Sequence, residues 1–398
     1  MLIETILAVL CGIALGTVTG LTPGIHINLV AALILLVSKN LTSFPTEYLA
    51  FAILAMSITH VFLDIIPSVF LGAPDANEVL AVLPGHRLLM QGLGYQAVAI
   101  SALGALSAII LGILASPLTI VMITKLFEVI KPYIGWILIA ASFLLVIKES
   151  GSKVAAALIF LFSGVLGLAV FGIETVKEPL FPLLSGLFGI STLLISISQN
   201  TKIPQQYVVF PAMPWKEWLK LTPLATIVSS LFSFLPALGP TQATILASSL
   251  TRELSAKSFL FLNAGINAVN MLTSILSLYA IEKARNGAIV VMGKLAAMNS
   301  DLLIKLLIIT AVTAILACGL SLLFARGFAN IMQKINYRGL IIGIILFIVV
   351  LLPIISGWLG LMVAAVATLV GLLPSVFNTG KNHLMGCLLL PTILYFML

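Results

Sequence analysis

The chain has 398 residues, of which 61% are hydrophobic and only 8% are charged, and its mean hydropathy is +1.22. A soluble domain carries about one charged residue in four, so this composition would leave a water-exposed globule covered by one aggregating apolar surface. These values exclude a soluble enzyme, a nucleic-acid-binding module and a disordered linker. The formal net charge of +7 comes from basic residues that stand singly between apolar blocks, as in membrane-protein loops.

The length and continuity of the apolar runs predict the fold class. They extend over about 15 to 25 residues each, whereas a transmembrane barrel shows short segments of alternating polarity. We therefore expect an all-α polytopic membrane protein of the cell membrane, with roughly ten to fourteen spanning or half-spanning segments. The three cysteines are isolated in apolar stretches, so neither a disulfide, a metal site nor another cofactor is expected.

The first apolar run is followed by a break in the predicted helix. Residues 4–20 predict a helix, and proline next to glycine then interrupts the chain and exposes backbone N–H groups. A membrane protein tolerates such a break only where the backbone is buried in protein or lines a cavity. We predict substrate-binding residues at this break, namely Thr22, Pro23, Gly24, His26 and Asn28.

The next span, residues 47–66, contains polar His60 and Asp64 and is expected to end at Pro67. Ionisable groups inside a membrane are costly and therefore indicate function. We assign Asp64 to coupling with a transported cation, and a structural hydrogen bond is the alternative.

A second break follows closely. The segment 72–78 and the pair Pro84-Gly85 enclose an apolar run of five residues, which is too short to cross a bilayer of about 30 Å. A re-entrant half-helix fits this pattern. Asp75, Asn77 and Glu78 are predicted ion-coupling residues, although the two acids would also suit the N-terminus of the half-helix.

Residues 199–221 form the most polar and proline-rich stretch, which we interpret as the connection between repeats 1–198 and 222–398. The pattern then restarts, because Pro236 to Thr241 takes the place of Pro23 to Asn28. An apolar run flanked by Glu282 to Gly287 and by Gly293 likewise repeats the short hairpin of the first half.

The second half supplies further candidate residues. Helix capping explains Thr241 by itself, but it does not explain Gln242 and Thr244 together. The amides at 263, 267 and 270 share one helix face and either join helices or line a wet pathway. The predicted substrate-binding residues are Gly239, Pro240, Thr241, Gln242, Thr244, Asn263, Asn267, Arg285 and Asn286, and Asn270 joins Asp64 in ion coupling.

Two halves that each contain a Pro/Gly-broken helix and a re-entrant hairpin are typical of secondary transporters. The N-termini of half-helices carry partial positive charge and suit an anionic substrate group. Whether the two structural repeats are inverted or parallel depends on the number of crossings between them, and we favour the inverted arrangement.

These motifs resemble the TctA family, the large membrane subunit of the tripartite tricarboxylate transporters. The similarity covers most of the chain and is carried by Pro23-Gly24, by Gly72 to Asp75 with Pro84-Gly85, by Gly92 to Ala97, by Pro182 to Gly189 and by Gly239-Pro240-Thr241. Bacterial members tend to be longer and usually lack a histidine at the position of His26, so the Pro-Gly-Ile-His variant resembles an archaeal branch.

The resemblance implies an all-helical permease that takes up a carboxylate together with a cation. It also implies a small membrane subunit and an extracytoplasmic binding protein as partners, and a homodimer is a further expectation. We therefore predict a secondary active transporter of a small organic anion, coupled to Na⁺ or H⁺, that works by alternating access.

A polyprenyl-phosphate translocase is the alternative, since such proteins also use Pro-Gly-opened hairpins in two repeats. This chain lacks the Ser-Gly-Gly-Thr type of sequence expected after that Pro-Gly pair. No nucleophile elbow, Walker A sequence or HExxH motif indicates an enzyme, and no nucleic-acid partner is expected.

Overall fold

The structure is a computed structural model that describes residues 2–22, 27–38, 45–72, 79–149, 151–198, 204–211, 213–232, 239–251, 254–284, 286–332 and 337–398. Helices make up most of these residues, and no β-strand occurs among them. The prediction of an all-α protein is confirmed.

The helices of the first half alternate between long and short segments. In chain order they are α1 (Leu2–Leu21), α2 (Ile27–Ser38), α3 (Thr46–Leu63), a π-helical turn (Pro67–Leu71), a 3₁₀ turn (Val79–Ala81), α4 (Val82–Leu89), α5 (Gly94–Leu114), α6 (Ser116–Ile130), a 3₁₀ turn (Lys131–Tyr133), α7 (Ile134–Ile147), α8 (Lys153–Phe171), α9 (Leu180–Leu184), a second π-helical turn (Ser185–Ile190) and α10 (Ser191–Ser198).

The second half presents a similar order of long and short helices. They are α11 (Trp215–Phe232), α12 (Pro240–Leu250), α13 (Ala256–Ile281), α14 (Gly287–Leu295), α15 (Ser300–Met332), α16 (Tyr337–Ser356), α17 (Trp358–Val376), a 3₁₀ turn (Lys381–Met385) and α18 (Gly386–Met397). Because α11 begins at Trp215, the last residues of the predicted polar connection are helical.

Seven helical segments of the described residues are long and apolar enough to cross a membrane, which confirms a multi-pass membrane protein. They are Leu2–Leu21, Thr46–Leu71, Gly94–Leu114, Lys153–Phe171, Ala256–Ile281, Ser300–Met332 and Trp358–Val376. The segments that contain α3 and α13 are 94% buried over their most apolar windows, so these two helices form the centre of the bundle.

Helix α3 packs between helices from both halves of the chain. Gly12 and Gly16 of α1 approach the backbone carbonyls of Ala52 and Met56, so α1 and α3 lie side by side and run in the same direction. On α15, Lys305 forms an ion pair with Glu47, at 3.1 Å between Nζ and Oε1. Farther along the same two helices, the rings of Phe70 and Phe328 lie 5.7 Å apart, so α15 is also parallel to α3.

The corresponding helix α13 packs in the same way against α5 of the other half. Gly104 meets Phe261 and Gly112 meets Leu272, which makes α5 parallel to α13. Helix α5 begins at Gly94 beside Phe70, at the end of the span that contains α3. Helices α3 and α13 therefore run in opposite directions through the centre of the bundle.

A second group of helices is joined in a similar manner. Gly167 of α8 lies against the carbonyl of Cys387 in α18, and Gly371 of α17 lies against the carbonyl of Leu187 in the second π-helical turn. Each half of the chain therefore packs largely against helices of the other half.

The predicted end of the span at Pro67 is wrong. The α-helical pattern ends after Leu63, but the chain continues through a π-helical turn to Leu71 and ends at Gly72, whose φ is +64°. Proline lacks the N–H for a regular i to i−4 bond, and a π-helical turn is one way to accommodate that loss.

The expected break at Pro84-Gly85 is also wrong, because both residues lie in the first half of α4. The first four N–H groups of a helix have no intrahelical partner, so a proline in the first turn costs little.

The close contact between α5 and α13 predicts a difference between two glycine substitutions. A methyl group at Gly104 would lie 2.3 Å from the Phe261 carbonyl oxygen, whereas nothing lies within 4 Å of the same position at Gly319. We expect Gly104→Ala to lower the free energy of unfolding by about 1–3 kcal/mol and thereby to lower the melting temperature in detergent. Gly319→Ala serves as the control and should leave it unchanged, and equal melting temperatures for both variants would contradict the described contact.

Candidate functional site

Predicted residues from the two halves meet at the beginning of α14. The side-chain oxygen of Asn286 caps this helix and accepts a hydrogen bond from the Ala288 N–H at 2.9 Å. The side-chain oxygen of Asn28, in the first turn of α2, accepts from the same N–H at 3.0 Å. The helix that follows the first Pro-Gly break therefore contacts the short helix of the second half.

The corresponding break in the second half opens α12. Pro240 is the first residue of this helix, and its missing N–H costs nothing there. The side-chain oxygen of Gln242 accepts a hydrogen bond from the Gly239 N–H at 2.7 Å. The Gln242 carbonyl oxygen therefore caps this helix.

The neighbouring threonines of α12 are buried. Thr241 takes part in an interaction, whereas no partner is found for the Thr244 hydroxyl among the described residues. Thr22 lies half-buried at the end of α1.

The ionisable residues of α3 lie next to α1. The Nδ1 atom of His60 lies 3.1 Å from the Thr19 hydroxyl of α1, and its Nε2 atom lies 4.0 Å from Oδ2 of Asp64. Asp64 is only 4% exposed and marks the residue at which the regular helix ends. The backbone carbonyl of Asp64 accepts a hydrogen bond from the Ser68 hydroxyl at 3.0 Å, inside the π-helical turn.

The three asparagines of α13 are all buried in the bundle. Asn263 and Asn267 take part in further interactions, and the side-chain oxygen of Asn270 has no hydrogen-bond partner within the described part of the chain. Almost all of this helix is buried, so the three amides do not line an open channel among the described residues.

Seven predicted site residues lie outside the described residues. They are Pro23, Gly24, His26, Asp75, Asn77, Glu78 and Arg285.

Sequence reasoning missed a polar cluster around the turn before α18. The Oε2 atom of Glu149 accepts hydrogen bonds from Nε2 of His383 at 2.6 Å and from the Gly380 N–H at 3.1 Å. Burial alone would raise the pKa of Glu149, but hydrogen bonds from Gly151, His383 and Gly380 outweigh it and hold this pKa below its usual value. Glu149 and His383 are 234 positions apart, and no spacing in the sequence indicates that they meet.

This turn also lines an open groove of about 460 Å³. Its other walls are the end of α7, with Lys148 and Glu149, and the last turns of α12. Lys148 donates a hydrogen bond to the Ser249 carbonyl and so connects two of these walls.

Comparison with known proteins gives the same family as the sequence motifs. The chain matches the tripartite tricarboxylate transporter TctA family over residues 6–386. The chain belongs to the TctA family. This membership makes it the membrane component of a tricarboxylate transporter, in agreement with its apolar helices.

A relative from Methanocaldococcus jannaschii is 32% identical over 412 aligned positions, which cover 98% of this chain and 99% of the relative. That protein is described only as uncharacterised. No solved structure matches the chain.

Because the side chains of Asn28 and Asn286 share the N–H of Ala288, we expect the effects of substituting these two residues to be non-additive. Asn28→Ala and Asn286→Ala alone each leave one acceptor, so each should cost less than about 1 kcal/mol. In the double variant the N–H has neither side-chain oxygen as an acceptor. Its loss of unfolding free energy should therefore exceed the sum of the two single-variant losses by about 1–3 kcal/mol. Unfolding in mixed micelles measures these differences.

Asn299 provides the control, because its oxygen accepts a hydrogen bond from the N–H of Leu302 at a different helix. Combining Asn28→Ala with Asn299→Ala should give additive losses. Additive losses for the Asn28 and Asn286 pair would mean that the two side chains do not share a partner.

Proposed function

We propose that this TctA protein moves a small di- or tricarboxylate across the membrane by alternating access and couples the movement to Na⁺ or H⁺. The observation that carries the proposal is the polar centre of the bundle. Two oppositely directed helices, α3 and α13, are buried along their lengths and contain His60, Asp64 and three asparagines. A helix that only spans a membrane has no need for such residues, because placing ionisable groups there is costly.

Asp64 is the proposed site of cation coupling. It is a buried carboxylate at a point where the regular helix changes to a π-helical turn, which alters the normal pattern of backbone hydrogen bonds. Carbonyl groups at interrupted helices coordinate cations in other transporters. Oxygen of Asn270 on the opposing helix is a second candidate ligand, while Asp75, Asn77 and Glu78 remain predictions from the sequence.

The substrate site is proposed to lie near the beginnings of the short helices. The N-termini of α12 and α14 have the partial positive charge that favours a carboxylate. Asn28 and Asn286 accept hydrogen bonds from the same N–H at one of them, and Thr241, Gln242 and Thr244 lie in the first turns of the other. Asn263 and Asn267 are proposed to add amide groups from α13, and Pro23, Gly24, His26 and Arg285 remain sequence-based candidates.

Alternating access is supported by the directions of corresponding helices. Helix α3 and its counterpart α13 are antiparallel, and each packs in parallel with a long helix of the other half. Inverted repeats of this kind allow two related conformations that open to opposite sides. We extend the inverted arrangement to the whole of the two halves as part of the proposal.

The tripartite character of the family suggests the partners. We propose that a small membrane subunit and an extracytoplasmic binding protein assemble with this chain and that the binding protein delivers the substrate. A homodimer is a further proposal.

Transport assays in proteoliposomes test the proposed activity. We expect uptake of labelled citrate or succinate that increases when a sodium or proton gradient is imposed. Absence of uptake for both acids, together with movement of a polyprenyl phosphate between leaflets, would contradict the proposal and favour the lipid translocase.

Asp64 gives a specific prediction for coupling. Asp64→Asn replaces the carboxylate with a neutral amide. Gradient-driven uptake should therefore fall at least tenfold, a factor that corresponds roughly to the loss of one charged interaction. Glu47→Gln makes the same chemical change on the same helix, at a half-exposed residue, and should retain uptake. Equal uptake by both variants, at matched melting temperatures, would show that Asp64 does not couple the cation.

A further inference from the structure

The 3₁₀ turn between α17 and α18 places a lysine in the protein interior. Lys381 is the first residue of this turn, and only 7% of its surface is exposed. Its Nζ atom lies 2.7 Å from the Thr192 hydroxyl and 3.5 Å from the Ser191 hydroxyl, both in the first turn of α10. A residue near the end of the chain thus contacts the segment that follows the second π-helical turn.

The described residues provide no carboxylate, the usual partner of a buried ammonium group, at this site. Among the described residues, no carboxylate lies within 4.0 Å of Lys381 Nζ. Burying an unpaired charge costs several kcal/mol, and burial lowers the pKa of Lys381 to about 8. Glu149 accepts hydrogen bonds from His383 and Gly380, which lie on either side of Lys381 in the turn.

The two hydroxyl groups orient the ammonium but do not use all of its donors. Ser191 and Thr192 donate their own hydrogens to the carbonyls of Leu187 and Phe188, so their oxygens are left to accept from Lys381. An ammonium group has three N–H donors. At least one of them has no acceptor among the described residues.

A second nitrogen group lies within the electrostatic field of Lys381. Burial lowers the pKa of His86 in α4, and the charge of Lys381 lowers it further. The residue before it, Gly85, packs against Val69 of the first π-helical turn. Gly72, which ends that turn, lies next to Leu193 of α10, the helix that carries Ser191 and Thr192.

The turn is held in place and lies beside the groove. Glu149 binds the Gly380 N–H and the His383 ring on either side of Lys381. Gly380 and Asn382, the residues adjacent to Lys381, line the groove of about 460 Å³. The groove therefore borders the turn that carries Lys381, while the Lys381 side chain itself extends to Ser191 and Thr192 of α10 and is not part of the groove lining.

We infer that Lys381, with the hydroxyls of Ser191 and Thr192, forms a binding site for a carboxylate group of the transported anion. This inference rests on the proposed function and adds a cationic contact to a set of predicted residues that otherwise offers mainly neutral donors. A carboxylate would supply the negative charge and the acceptor that the ammonium lacks, and charge-assisted hydrogen bonds of this type are about twice as strong as neutral ones.

A purely structural role is the competing explanation for Lys381. In that case the ammonium would only fasten the turn to α10, and its removal would destabilise the protein without changing the affinity for substrate. The two roles are separated by measuring binding and melting temperature on the same variants.

Direct binding of citrate and of succinate to the purified full-length protein tests the inference. We expect Lys381→Met to raise the Kd at least tenfold, with Lys381→Arg between this variant and the wild type. Thr192→Val, which removes an orienting hydroxyl, should weaken binding less than Lys381→Met does. Lys153→Met removes an exposed lysine from the start of α8 and is the matched control, with an unchanged Kd.

The outcomes distinguish this inference from the proposed function. If the wild type binds either acid and Lys381→Met, still folded by its melting temperature, binds it equally well, the carboxylate site at Lys381 is wrong and the transporter proposal stands. If Lys381→Met does not fold, the comparison between Lys381→Arg and Thr192→Val decides, and wild-type Kd values in both would overturn the inference. Binding of neither acid to the wild type would contradict both proposals.

Discussion

The close approach of helix backbones at glycine is the contact on which the rest of this bundle depends. Lipid tails are as apolar as leucine, so helices in a bilayer gain little from burying apolar surface and associate through close packing. Gly12, Gly16, Gly104, Gly167 and Gly371 each bring a neighbouring carbonyl so close that a methyl group would collide with it. These contacts hold the central helices together tightly enough to bury a polar interior.

The polar interior has consequences for the shape of the helices themselves. Without water, a backbone group released from the regular helix pattern needs another partner. Hydroxyl side chains in or next to the two π-helical turns, Pro67–Leu71 and Ser185–Ile190, donate hydrogen bonds to nearby carbonyls. Irregular backbone and polar side chains therefore occur together, which is where transporters bind their ligands.

Much of the architecture was predictable from the sequence because composition and helix breaks are local properties. The membrane class, the long helices, the opening of α12 at Pro240 and the short α14 all followed from apolar runs and from Pro or Gly. The continuation of the helix through Pro67 could not be predicted in this way, because a π-helical turn depends on how neighbouring helices cover the carbonyls that proline leaves exposed.

Contacts between residues that are far apart in the sequence could not be predicted from the sequence pattern. Asn28 and Asn286 were each recognisable as polar residues near a helix start, but their shared hydrogen-bond donor required the fold. Lys381 resembled an ordinary loop lysine, since its burial comes from the packing of α10 and the turn that Glu149 holds. Gln242 was recognised as unusual for its position, and only the geometry showed that it caps its own helix.

Helices of the first half pack against helices of the second half, and this constrains how the chain assembles during its synthesis. Gly135 of α7 lies against Met397, and Gly164 and Gly167 of α8 lie against Leu390 and Cys387 of α18. During translation, α7 and α8 leave the ribosome more than two hundred residues before this partner exists. Their glycine faces must therefore remain without this partner, in the bilayer or against the insertion machinery, until the last helix of the chain has entered the membrane.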